Sequence, residues 1–271
     1  MKYKAEELKQ VQMIEIEILK AVIEICEKHG LKYFTVGGTT LGAVRHSGFI
    51  PWDDDIDIGL LREDYESFLK IAPDELGDQY YLGHYTRDPN FSTYHAKVMK
   101  RGTIFLEEYA EKIEGDHGIF IDIMPFDNVP MQIGELKKYR RKVFVANQLF
   151  TAKSTGKTSL ARGKKKIIYS FIRSCLHFFL LFYPKDKLYK KLDTEVRKHE
   201  NNKTGLLSSR GLEVFECKME DLIPTINHKF DDIVVQIPNN YDAILKKQYG
   251  DYMKLPPRKD RVGHSPKVLK L

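Results

Sequence analysis

The sequence predicts a mixed α/β fold: a small mixed sheet flanked by helices and interrupted by a helical insertion. Three observations predict it. Apolar residues recur at three- and four-residue steps at the start and in the middle of the chain, as on helix faces. Short β-branched or aromatic runs between turns mark strands. After Pro130 the strand signals give way to long basic helical stretches. With 271 residues, 42% of them hydrophobic, the chain can bury one sizeable core and carry an appendage. Residues 1–130 are read as the main α/β core, 131–200 as a basic helical insertion, and 201–271 as the part that completes the core.

Residues Ala5 to Lys28 place Leu8, Val11, Ile14, Ile18, Val22 and Ile25 on one helical face, and His29-Gly30 closes that helix. Leu31 to Val36 reads as a strand, Thr39 to His46 as a short helix after a Gly-Gly turn, Ile56 to Leu60 as a second strand and Glu63 to Ile71 as a helix. Tyr80 to Tyr85 and Tyr94 to Met99 have strand composition. Gly118 to Met124 (GIFIDIM) is an apolar strand interrupted by one acid, Asp122. The middle reads as helices over Ile133 to Ala152, Lys164 to Phe182 and Lys187 to Asn201. Strands return at Leu206 to Ser209, Glu213 to Cys217 and Ile233 to Ile237, followed by a helix at Tyr241 to Tyr249 and a Pro- and Lys-rich tail.

The net charge of +6 conceals an asymmetry: residues 131–200 hold 18 Lys/Arg against 5 Asp/Glu. Such a block suits nucleic acid, an anionic membrane face or a polyanionic substrate. Nucleic acid fits least, because no aromatic-basic motif of an RNA-binding domain occurs. The run Ile167 to Tyr183 (IIYSFIRSCLHFFLLFY) is apolar, and Arg162, Lys164, Lys165 and Lys166 precede it. At 17 residues with Arg173 and His177 inside, it is short and polar for a membrane span. It is either a buried core helix or a helix lying on the cytoplasmic leaflet. The Met1-Lys2-Tyr3-Lys4 start resembles no secretory signal, and Cys26, Cys175 and Cys217 offer neither zinc spacing nor a disulfide framework. These features suggest a cytoplasmic protein, with a peripheral place on the inner membrane face as an option.

The chemistry concentrates between Val36 and Leu60. Asp53, Asp55 and Asp57 alternate with Asp54 and Ile56, and alternate residues of an extended strand share a face. Carboxylates that close repel one another unless a divalent cation joins them. Asp55 and Asp57 form the best ligand pair, Asp53 can join through the inner or outer shell, and Asp54 should point away. Asp122, flanked by Ile121 and Ile123, is the third candidate, since an acid inside an apolar strand needs a partner. The competing readings are a solvated acidic turn after Pro51 and a calcium loop; the latter lacks the glycine and terminal glutamate its pattern requires. Asp116 and Asp127 read as turn or capping residues. Gly37 and Gly38, with Thr39 starting the next helix, can form a phosphate-facing turn or an ordinary strand-to-helix turn.

The stretch VGGTTLGAVRHSGFIPWDDDIDIGL resembles the signature of the LicD family, which includes bacterial phosphocholine transferases and resembles the fukutin-related sugar-phosphate transferases. GIFIDIMPFD, at Gly118 to Asp127, and YGDYMKLPPRKDRVGHSP, at Tyr249 to Pro266, resemble its later motifs in the same order. The resemblance implies a nucleotidyltransferase-like fold. It also implies metal-dependent transfer of phosphocholine, or a similar alcohol phosphate, from a CDP-alcohol to a sugar hydroxyl. CDP-choline is the leading donor; the acceptor would be a glycan or lipid-linked sugar, such as a cell-surface glycan or teichoic-acid precursor. Asp55 and Asp57 match the metal pair, Asp122 the later acid and Gly37-Gly38 the turn, with Mg2+ or Mn2+ as the ion. Asp122 would orient or deprotonate the hydroxyl as CMP leaves. Candidate diphosphate-binding cations are Arg45 first and Lys97 second, then Lys100, Arg101, Lys259 and Arg261, with His46, His95 and His264 behind them. Trp52 is either a wall of a choline cage or, more simply, packed beside Pro51. The zinc-binding cysteine cluster of some animal relatives does not occur in this sequence. Two other functions compete: nucleotidyl transfer releasing pyrophosphate, and a non-catalytic basic module binding membrane or nucleic acid.

Overall fold

A computed structural model describes residues 4–111, 113–156, 164–264 and 266–271; Met1, Lys2, Tyr3 and Arg162 lie outside the described residues. In chain order, α1 (Ala5–Lys28), β1 (Tyr33–Thr35), α2 (Gly37–His46), β2 (Asp57–Leu61), α3 (Arg62–Glu75), β3 (Tyr80–Gly83), β4 (Ala96–Lys100), β5 (Ile104–Leu106) and β6 (Phe120–Asn128) come first. The helices α4 (Ile133–Ser154), α5 (Lys164–Leu180) and α6 (Lys185–Val196) follow. The chain then adds β7 (Leu206–Ser208), β8 (Cys217–Lys218), α7 (Met219–Leu222), β9 (Ile226–Phe230), β10 (Ile233–Ile237), α8 (Tyr241–Tyr249) and β11 (Val268–Lys270). This is the expected mixed α/β architecture.

Seven strands form the main sheet in the order β1-β2-β6-β4-β3, with β7 on β6 and β8 on β7. Among the described residues only β2 and β6 run parallel, and the other pairs are antiparallel. Alternation then divides the side chains. Ile56, Ile58, Leu60, Ile119, Ile121 and Ile123 enter a core with Val11, Ile18, Leu19 and Val22 of α1 and Phe68 of α3. Asp57 and Asp122, one step out of phase, face the other side. Burial of the isoleucines therefore dictates where the two acids project.

The structure departs from the sequence reading at several elements. The β6 strand begins at Phe120 and runs to Asn128, beyond the expected Met124. Glu213 to Cys217 is not a strand: Glu213–Phe215 is a single 3-10 turn, and only Cys217 and Lys218 pair with β7. The strands β5, β9 and β11 were not expected. Asp127 is not a cap. It is buried inside β6 and holds Arg62 through two hydrogen bonds, of 2.7 and 2.6 Å. Arg62 also donates to Tyr94 Oη, which in turn donates to Asp193 of α6, so this network ties the helical block to the sheet. Behind it, α4 and α6 close a second core containing Tyr139, Val143, Phe150, Leu188 and Leu192.

Removing one partner of a buried charge pair strands the other in a poorly solvated place. Arg62→Ala is expected to lower the unfolding free energy by about 3–5 kcal/mol. Urea denaturation of parent and variant measures it, and a loss below about 1 kcal/mol would reject the assigned role.

Candidate active site

The acids assemble where β2 and β6 begin. In the parallel register Asp57 lies directly opposite Asp122, and the Asp122 N–H donates to Ile56 O. Asp53 to Ile56 are an extended lead-in rather than strand, so only Asp57 sits within β2. The lead-in is pinned from both ends. Gln12 of α1 donates to Asp53 O at 2.8 Å, and the Asp57 N–H donates to Thr39 Oγ1 at 2.8 Å. Asp54 is buried and accepts both the His264 N–H and a ring contact from His264 Nδ1.

The glycine pair serves the carboxylates. Both glycines lie in the first turn of α2, not in a loop before it, and Gly37 has φ +53°. A methyl group on Gly38 would lie 2.9 Å from Asp53 Oδ2, so only glycine lets that carboxylate rest against the helix start.

Electrostatics mark the cluster as strained by like charge. Burial and the neighbouring Asp55 push the Asp53 carboxyl up to about 8. Burial raises Asp55, with His264 opposing, and burial with Asp55 and Asp122 raises Asp57 well above the usual range. Asp122 differs. Burial raises it, but Lys97 and His95, each 3.3 Å away, hold it well below the ordinary carboxylate value. One oxygen of Asp122 makes no hydrogen bond. His264, bonded to Asp54, is raised to about 10 and stays protonated.

A cavity of about 660 Å³ opens beside these groups, large enough for a nucleotide-sized ligand. Asp55, His95, Lys97, Asp122, Arg210 and His264 line it, together with Gln148 and Arg173 of the helical block. The carboxyl set suits a hard cation such as Mg2+ or Mn2+ by donor type and by its need for neutralisation. Among the described residues, no three acidic, His or Cys side chains are already gathered as a ready ligand shell.

Other predicted residues lie apart from the cavity. Arg45 donates to Tyr252 O and to His46, and it is not part of the cavity lining. Trp52 packs beside Leu41, Ile50, Leu245 and Tyr252, with the Arg261 guanidinium over its ring at 5.1 Å. Lys100 pairs with Glu17 and Arg101 with Asp116 at the surface.

Two groups escaped the sequence reading. Glu15 sits on the buried face of α1, and burial with Asp55, Asp54, Asp53 and Asp122 raises it well above its usual value. Its position, four residues after Val11 and three before Ile18, was the available signal: a charged residue inside an apolar stripe. Arg210 follows the buried Ser208-Ser209, holds φ +54° and feels Asp122 and Asp57. Its Nε is buried without a partner. Nothing in the local sequence announces it.

Comparison with known proteins bears on what this site belongs to. Residues 30–155 match the family model described as LicD/FKTN/FKRP, nucleotidyltransferase domain. The lipopolysaccharide cholinephosphotransferase LicD of Haemophilus influenzae is 29% identical over 95% of both chains. The ribitol 5-phosphate transferase FKRP of Homo sapiens is 38% identical over 61 residues, which are 22% of this chain and 12% of that protein.

Glu15 yields a stability prediction. A carboxyl raised in the folded state contributes stability in full below its unfolded value near 4.5, and that contribution is lost as pH rises towards the folded value. Glutamine mimics the protonated form without that loss. In metal-free buffer, Glu15→Gln should match the parent near pH 4.5 and exceed it increasingly at higher pH, read by chemical denaturation across the range. A constant difference between the two proteins would contradict the buried, neutral carboxyl.

Proposed function

We propose that this chain, whose residues 30–155 match the LicD/FKTN/FKRP family model, belongs to the LicD family and is a phosphotransferase acting on glycans. We propose further that it moves phosphocholine, or a similar alcohol phosphate, from a CDP-alcohol to a sugar hydroxyl. The observation that carries the reading is the register of β2 on β6. It sets Asp57 against Asp122 beside the Gly37-Gly38 helix start, at the side of a cavity that also holds Lys97 and Arg210.

Asp53, Asp55 and Asp57 are the residues that would hold a divalent cation, with Asp122 as a further ligand. Such an ion, when bound, would relieve the repulsion among these carboxylates and neutralise the donor diphosphate. The remaining work falls to the chain itself. Arg210 and Lys97 offer positive charge to phosphate oxygens inside a poorly solvated cavity, where such charge acts strongly. Asp122, held ionised chiefly by Lys97, would accept the hydrogen of an incoming hydroxyl and aim its oxygen at phosphorus. As the new P–O bond forms, the bond to CMP breaks, CMP departs with the electron pair, and the hydroxyl proton passes to the base. The polar wall formed by Gln148 and Arg173 would receive the acceptor. The three free cysteines accord with a reducing, cytoplasmic setting.

The decisive assay offers CDP-choline, CDP-ribitol, CDP-glycerol and CTP with Mg2+ and scores the nucleotide product. CMP release from a CDP-alcohol is expected; pyrophosphate from CTP would instead indicate nucleotidyl transfer. Asp55→Asn and Asp57→Asn should each reduce turnover by about 10²-fold or more with the fold retained. Arg210→Lys should raise KM for the donor, because an ammonium lacks the planar fork of the guanidinium. Parental rates in all three variants would remove the site assignment.

A further inference from the structure

The helix α5 carries two unlike faces. On one, Arg173 donates to Thr155 O and Gln148 Oε1, the His177 ring meets Ala152 O, and Leu176 and Leu180 pack into the second core. These positions follow the three- and four-residue spacing of a single helical face. The opposite face displays Ile168, Phe171, Ile172, Phe178 and Phe179, and Phe182 just beyond the helix is 92% exposed. The expected core helix is therefore half right: one face is packed and the other is bare. A contiguous apolar surface of this kind on a well-solvated chain marks a contact with something else.

We propose that this outer face lies in the headgroup–acyl boundary of an anionic membrane leaflet. Charge selects that occupant. The block from residue 131 to 200 holds 18 Lys/Arg against 5 Asp/Glu, and exposed Arg141, Lys142, Lys187 and Lys191 flank the apolar helix in the chain. Anionic headgroups complement that charge. A second copy packed on the same face would bring like charge against like charge, because a two-fold contact pairs a patch with itself. The side chains also suit the boundary, where aromatic residues concentrate: exposed Tyr183 follows the four phenylalanines. The helix lies on the surface rather than spanning it. Among the described residues no single helix is long and apolar enough to cross a membrane, and Arg173 and His177 are tied to the protein side. Docking has a geometric result, since Arg173 on the inner face also lines the large cavity. The cavity wall would rest on the bilayer surface.

The test uses the full chain with vesicles of phosphatidylcholine alone or mixed with phosphatidylglycerol, in flotation, with no donor or acceptor present. Failure here would thus leave the transfer reading untouched. The chain should float with anionic vesicles and much less with neutral ones, and added salt should weaken the association. Phe178→Ser/Phe179→Ser/Phe182→Ser should reduce the bound fraction by about tenfold or more while retaining the parent's circular dichroism and unfolding midpoint. Should that triple variant fold poorly, Lys164→Gln/Lys165→Gln/Lys166→Gln provides the second arm, with weaker anionic binding expected. The proposal is overturned if the parent ignores anionic vesicles at low salt. It is overturned equally if a folded triple variant binds as the parent does, or if sedimentation shows that the same face instead joins two copies.

Discussion

Mutual repulsion among carboxyl groups is the constraint around which this molecule is organised. Asp53, Asp55 and Asp57 arrive within five residues, Asp122 joins them across β6, and Glu15 approaches from α1. Such a gathering is costly in a partly dry setting. The surrounding structure answers it piece by piece. Lys97 and His95 reach Asp122 from the neighbouring strand, His264 takes Asp54, Arg210 projects from the turn after β7, and the helix start at Gly38 makes room for Asp53. Burial first, and like charge second, still leave Asp53 and Asp57 raised above the ordinary carboxylate range.

Much of this was legible in the sequence, for a physical reason. Strand alternation is a two-residue rule, so isoleucines flanking Asp57 and Asp122 announce both the buried face and the opposite one. Glu15 was harder, because glutamate on a helix is ordinary; only its place within the apolar stripe sets it apart. Arg210 was illegible, since a left-handed residue after a three-residue strand carries no periodicity to read. Arg62 and Asp127 lie 65 residues apart, and nothing local to either predicts that they meet. The Ile167 to Tyr183 run shows the limit of hydropathy, which measures how apolar a segment is but not what covers it.

The helical block has a place in the same scheme. It is anchored to the sheet by the Asp127–Arg62–Tyr94–Asp193 network and sends Gln148 and Arg173 to the lining of the cavity. Groups carried by the sheet and by an element with different surface chemistry thus line one cavity. Relatives could exchange that element while leaving the acids and the glycine turn in place.

The bond between Asp54 and His264 joins positions 210 residues apart. Closing so large a loop is entropically unfavourable until the intervening chain has already compacted. Contacts of that span belong to the late, non-local phase of folding. A partly folded molecule could therefore contain sheet, helices and both cores while its acids stay loosely arranged, so that competence arrives as the closing event of maturation.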